Sequence, residues 1–197
     1  MDKNKKIEEK ILKIAIEMAK EGEGALFVIG KNIKYSRLLK QKFKKFSVFS
    51  KGSEKLLKSL ASIDGAIIIN VKGEVLDYGA MIKNPRPFRG YGTRHAAAIS
   101  ASKNKNIAIL SSEEERKVKI FKDGKYVMQV DALEKNIQKN ISQMTGILES
   151  VGIGTIGTIG VATLVPTLGI TLIPGIIVFG GSYYALRSLI NFLKNKH

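Results

Sequence analysis

A chain of 197 residues has room for one domain of ordinary size and an additional segment. It has no cysteine and only two histidines, His95 and His197, which excludes thiol catalysis, disulfides, iron–sulfur clusters and zinc sites built on cysteine or on several histidines. The net charge of +16 is concentrated in residues 1–146, because 147–197 hold only Glu149, Arg187, Lys194 and Lys196. A basic region of that kind either suits phosphate-bearing partners or simply solvates the surface.

In chain order, residues 3–20 carry no secretory signal. They form an amphipathic helix pattern with Ile7, Ile11, Ile14, Ala15 and Met18 on one stripe. Strand-like runs follow at 25–30, 46–49, 66–71, 74–78, 107–111, 117–121 and 126–130. Lys72-Gly73 and Asp123-Gly124 read as hairpin turns. Helices are expected at 54–62, 94–103 and 132–147. Hairpins interleaved with helices predict an α/β class: a mixed sheet, largely antiparallel, flanked by helices. The expected organisation is an N-terminal helix over 1–20, a domain over 21–131, a connecting helix over 132–146 and an apolar segment over 147–193.

That apolar segment includes 37 residues, 150–186, without one charged side chain. This is too long for one spanning helix and suits two short arms, about 146–165 and 171–192, turning near Pro166, Gly169 and Pro174. Glycines at 152, 154, 157 and 160 permit close helix contact, and Tyr183, Tyr184 and Arg187 suit a membrane–water interface. Lysines flank both ends of the pair. The expectation is a C-terminal apolar helical hairpin that attaches the protein to the cell membrane through 147–193, with the domain cytoplasmic. The alternative is a hairpin buried in a core or an oligomer interface, which would leave the protein cytoplasmic. Gly152-Ile153-Gly154-Thr155-Ile156-Gly157 spells a dinucleotide fingerprint, but it follows a helix pattern rather than a strand and is discarded.

Three segments can carry chemistry. Asp64-Gly65-Ala66 opens the most apolar strand, which places an acid at a strand start beside a glycine that admits a ligand to the backbone; the plain alternative is a turn aspartate. Gly92-Thr93-Arg94-His95 precedes a helical run, with Thr93 placed as N-cap. Basic residues in a first turn are unusual and suggest an anionic guest such as phosphate, against the alternative of a solvated pair. Pro85-Arg86-Pro87-Phe88-Arg89-Gly90 just upstream reads as a loop able to close over a site. In Ser111-Ser112-Glu113-Glu114-Glu115, Ser112 can donate to phosphate and a glutamate can hold a divalent cation, unless the segment is only an acidic hairpin tip.

These segments, in this order, together with Gly24-Ala25-Leu26-Phe27-Val28-Ile29-Gly30, resemble the diadenylate cyclase domain family: the nucleotidyltransferase module of the DNA-integrity scanning protein and its membrane-bound relatives. The resemblance covers about 21–131. It implies condensation of two ATP molecules into cyclic di-AMP with release of two pyrophosphates, in a homodimer or higher oligomer whose subunits meet face to face. By position, it implies that Asp64 helps activate the 3′-hydroxyl and holds a divalent metal, manganese or magnesium. Gly65 and Ala66 would line the nucleotide, Thr93, Arg94, His95 and Ser112 would bind phosphates, and Glu114 would assist with metal. One position departs from the family pattern: Ala96 stands where a second arginine is usual, so a phosphate contact is missing or is supplied by Arg89 or Lys103. The order differs too, since the membrane-bound relatives carry their apolar helices before the cyclase domain. A catalytically weak or inactive membrane-associated sensor of ATP or cyclic di-AMP is the competing expectation. No nucleic-acid partner is expected, because no basic–aromatic stacking platform is present.

Overall fold

In the computed structural model, which describes residues 3–38, 43–83, 85, 92–151 and 174–178, the first helix, α1 (Lys3–Glu21), is a structural part of the domain. Its apolar stripe of Ile7, Ile11, Ile14, Ala15 and Met18 has no solvent exposure. The division at residue 20 expected from sequence is therefore not a domain boundary.

The partner of that stripe is a mixed sheet. Its strands are β1 (Ala25–Ile29), β2 (Tyr35–Arg37), β3 (Phe46–Ser47), β4 (Ala66–Ile69), β5 (Glu74–Ile82), β6 (Ile107–Ser112), β7 (Lys117–Lys122), β8 (Lys125–Asp131) and β9 (Ile176–Val178). Their order is β2-β5-β4-β1-β6-β7-β8-β9, with β3 also on β5. Only β1 and β4 are parallel, joined by a crossover through α2 (Ser53–Ala61); every other pairing is antiparallel.

Alternation along the strands sorts side chains between two cores. Phe27, Ile29, Ile67, Ile69, Ile107, Ile109, Val118 and Ile120 pack with α1, α2 and the last helix, α4 (Ile141–Val151). Leu26, Val28, Ala66, Ile68, Ala108, Leu110 and Phe121 face the other way, onto α3 (Thr93–Ala101). Helices on both faces explain why β1 and β4 are apolar at every position. Alanines at 66, 80, 98, 101 and 108 let the short helix α3 lie close to the sheet.

Both expected hairpin turns form. Asp123 and Gly124 each take positive φ, 51° and 73°, as a tight two-residue turn between β7 and β8 requires. At the other, the Gly73 N–H donates to the Asn70 carbonyl at 2.9 Å.

Three expectations change. The connecting helix over 132–146 is a 3-10 helix at Ile137–Asn140 followed by α4, and Met144, Ile147 and Leu148 of α4 belong to the core. The expected boundary at 147 therefore falls inside a packed helix. Ile176–Val178, expected within a helical arm, is instead a strand paired antiparallel with β8, with Ile176 opposite Val130. A uniformly apolar run gives no period by which helix and strand could be told apart. Strand β2 was not expected because Tyr35-Ser36-Arg37 shows no alternation of its own. The remainder of the two arms, including Tyr183, Tyr184 and Arg187, lies outside the described residues. Among the described residues no helix is long and apolar enough to cross a membrane.

Because α1 covers the central strands, Ile11→Ala should lower unfolding free energy by about 2–5 kcal/mol in urea titrations. Lys13→Ala on the same helix breaks only two 3.9 Å ion pairs and should change it by less than about 1 kcal/mol.

Candidate functional site

Topology brings the three chemical segments to one end of the sheet. Parallel β1 and β4 start at the same end, where Gly24 and Asp64-Gly65 lie. Antiparallel β6 finishes there with Ser111-Ser112, and α3 begins there.

Gly65 takes φ +106°, and a Cβ on it would fall 2.6 Å from the Gly79 carbonyl carbon, so only glycine lets β4 and β5 approach this closely. Asp64 is carried on that bend. Its Oδ1 accepts the Gly65 N–H at 3.0 Å, and its side chain is 73% exposed. Ala66 is buried, between Leu26 of β1 and Ala80 of β5.

The start of α3 differs from expectation by one residue. Gly92 is the N-cap, with extended backbone, and Thr93 is the first helical residue. Glycine at the N-cap supplies no side-chain cap, and the His95 N–H donates to the Gly92 carbonyl at 3.1 Å, so among the described residues the amides of Thr93 and Arg94 keep the capacity to bind an anion. Arg94 stands beside them. Its Nη2 lies 3.9 Å from Asp64 Oδ1 and its Nη1 lies 3.7 Å from Glu113 Oε2. Both pairs are long and solvent-exposed, hence worth less than about 1 kcal/mol each, and a phosphate can displace them. Gly24 serves the same guanidinium: a Cβ there would lie 2.2 Å from Arg94 Nη1.

The acid that reaches Arg94 is Glu113; Glu114 is exposed on the turn between β6 and β7. Ser112 is half-buried at the end of β6, where its Oγ accepts the Glu115 N–H at 3.4 Å. Ser111 donates to the Glu23 carbonyl at 2.7 Å and so ties β6 to the segment before β1. Among the described residues, no group of three or more acidic or histidine side chains gathers as a metal cage. The exposed Asp64 carboxylate is a hard oxygen donor, and it fits a cation held by one or two carboxylates with the rest of its shell from phosphates and water.

Lys119 is a residue at this end of the sheet that the sequence did not single out. It lies in β7 and is 1% exposed. Its Nζ is 3.0 Å from His95 Nε2 and is ion-paired with Glu115. Burial, then the Lys119 charge, push the His95 pKa down to about 4, and Glu115 opposes this only in part. Burial works to raise the Glu115 carboxyl, but Lys119, Lys117 and His95 outweigh it and hold the pKa below the usual value. The Phe121 ring meets the imidazole edge-on at 6.3 Å and stacks on Tyr126 at 5.0 Å. A signal was present in the sequence: Lys119 shares the parity of Phe121, which sets it on the α3 face of a strand otherwise apolar at its inner positions.

A second guanidinium lies on the α3 face. Buried Asp77 accepts from Arg37 Nε at 2.5 Å and from the Tyr78 N–H at 3.1 Å. Burial first, then Asp77, push the Tyr35 phenol up. Arg37 is opposite Ala80, itself opposite Ala66, so its backbone is two strand spacings, roughly 10 Å, from Ala66. Lys103, considered as a substitute for the missing arginine at 96, follows the far end of α3 against the β7–β8 turn, where its Cγ lies 3.2 Å from the position of a Gly124 Cβ. Nine helical residues, about 13 Å, separate it from the site. Arg89 and the rest of 86–91 lie outside the described residues.

The model of the family described as DisA bacterial checkpoint controller nucleotide-binding matches residues 13–126. A diadenylate cyclase of Methanocaldococcus jannaschii is 34% identical over an alignment 145 residues long that covers 66% of this chain and 47% of that one. A diadenylate cyclase of Haloferax volcanii is 29% identical over an alignment 137 residues long that covers 61% of this chain and 51% of that one. The chain spans about half the length of these curated relatives. Among solved structures, a double-cysteine mutant of DacA from Staphylococcus aureus is similar, with 21% identity and a TM-score of 0.47 over 71% of this chain and 92% of that one.

Gly24→Ala should push the Arg94 guanidinium aside while leaving the core intact. Calorimetric titration with pyrophosphate should show affinity weakened by roughly tenfold, the loss of one charge-assisted contact, with little change in melting temperature.

Proposed function

The chain belongs to the DisA bacterial checkpoint controller nucleotide-binding family, and from that premise we propose that it is a diadenylate cyclase, joining two ATP molecules into cyclic di-AMP with release of two pyrophosphates. The observation that carries the reading is Arg94 at the uncapped start of α3, loosely held between Asp64 and Glu113 and open to a more highly charged anion.

In this reading the ATP phosphates sit against the first amides of α3, with Thr93, Arg94 and His95 around them and Ser112 beside them. Gly65 and Ala66 line the nucleoside. Asp64 accepts a hydrogen bond from the 3′-hydroxyl and raises its nucleophilicity. As its proton passes to Asp64, that oxygen attacks the α-phosphorus of the ATP held by the partner subunit, the bond to the β-phosphate bridging oxygen breaks, and pyrophosphate leaves. The second half-reaction repeats this with the roles exchanged and closes the ring. Catalysis of this kind is mostly positioning and charge stabilisation, which suits a site rich in donors and poor in nucleophiles.

A divalent cation, manganese or magnesium, supplies charge neutralisation on the phosphate oxygens when bound; Asp64 holds it, with Glu114 or its neighbour Glu113 assisting. Each domain holds one ATP, so turnover needs two subunits face to face. Ala96 is buried in α3 and supplies no phosphate contact. The uncharged run of 150–186 is the one support for membrane attachment, and within the expected segment Ile147 and Leu148 lie in the core and Ile176–Val178 in the sheet. Sedimentation of the full chain with lipid vesicles tests it, because a truncation after Val151 would also remove the strand that pairs with β8.

Incubation of the full chain with ATP and manganese or magnesium should give cyclic di-AMP by mass spectrometry. Asp64→Asn should reduce it by at least about 100-fold with the fold retained, and Arg94→Ala should raise KM for ATP roughly tenfold. Well-folded protein that binds ATP and releases no pyrophosphate would identify a sensor instead.

A further inference from the structure

Lys119 is a buried cation in the wall of the site, and its ionic state restricts what its neighbour can be. An ammonium has three donors and no acceptor. Pairing with Glu115 keeps it in that form, so at the 3.0 Å contact with His95 it is Lys119 that donates and Nε2 that accepts. An Nε2 that accepts carries no proton. The imidazole then holds its single proton on Nδ1, and that N–H is its one donor.

We propose that Lys119 is a positioning residue that fixes His95 as the neutral Nδ1–H tautomer, so that His95 meets the nucleotide as an uncharged hydrogen-bond donor and never as a proton shuttle through Nε2. The role toward nucleotide rests on the cyclase reading; the tautomer does not.

Several features support this assignment. Phe121 sets its ring edge-on to the imidazole and limits its rotation. Among the described residues, the charged groups near the ring include Lys119 of β7, Glu115 of the β6–β7 turn and Arg94 of α3. Burial and the Lys119 charge both oppose a second proton, which agrees with a ring that stays neutral well below pH 6.5. The division of labour is economical in charge: Arg94 supplies the cation at the phosphate, and His95 adds a directed N–H without further repulsion between cations.

The test uses the fact that the chain has only two histidines. In the full chain labelled with nitrogen-15, long-range proton–nitrogen spectra should show His95 with Nδ1 protonated and Nε2 bare. It should not titrate between pH 5 and 8. Lys119→Met, close to lysine in shape, should release the ring: the Nε2–H form becomes populated and the His95 pKa rises. Lys119→Arg should keep the wild-type tautomer. In turnover, Lys119→Met should lower kcat by at least about tenfold, one hydrogen bond's worth, with a new acidic limb in the pH profile, and Lys119→Arg should restore part of the rate. An Nε2–H tautomer in the wild type, or an unchanged ring in Lys119→Met of wild-type melting temperature, overturns the proposal. Absence of cyclic di-AMP from wild-type protein overturns the cyclase reading instead, and the spectra still decide the tautomer.

Discussion

The parallel pairing of β1 with β4 governs the geometry of the whole site. Two strands that run the same way place their beginnings side by side, and here those beginnings are Gly24 and Asp64-Gly65. The pair is at the centre of the sheet with helices on both faces, so every side chain in it must be apolar and chemistry can attach only at its ends. Antiparallel β6 then delivers Ser112 to the same end, and α3, crossing one face, presents Arg94 and His95 over it. Glycine at 24 and at 65 removes the Cβ atoms that would otherwise fill the space Arg94 and the Gly79 backbone occupy.

Charge at this end is arranged in two different ways. Arg94 is half-exposed and joined to two acids at long range, an arrangement that costs little to break. Lys119 is the opposite case. A lysine that is 1% exposed must keep its partners, because one left without them would be strongly destabilised, and this makes its contacts with Glu115 and His95 fixed features of the protein. One cation is available to a ligand while the other shapes the wall behind it.

Much of this was legible in the linear order of residues, for identifiable reasons. Asp64-Gly65-Ala66 and Gly92-Thr93-Arg94-His95 are contiguous, and a strand start or helix start is a local event, so their local settings could be read directly, with Thr93 displaced by only one position. The choice of Glu113 over Glu114 beside Arg94 depends on how the β6–β7 turn is aimed, which no spacing rule supplies. Lys119 was overlooked because a lysine in a strand usually faces water, and its burial follows from α3 covering that face.

By itself, the order of apolar and polar residues determined the class of the fold, the stripe on α1, the two tight hairpin turns and the start of α3 beside Arg94 and His95, since each depends on neighbours in the chain. Only the tertiary structure decided that α1 and α4 belong to the core, that Ile176–Val178 adds a strand to β8, and that a buried lysine confronts the site histidine. Those outcomes depend on which faces meet across the sheet. Burial and desolvation are properties of that meeting, and no residue carries them alone.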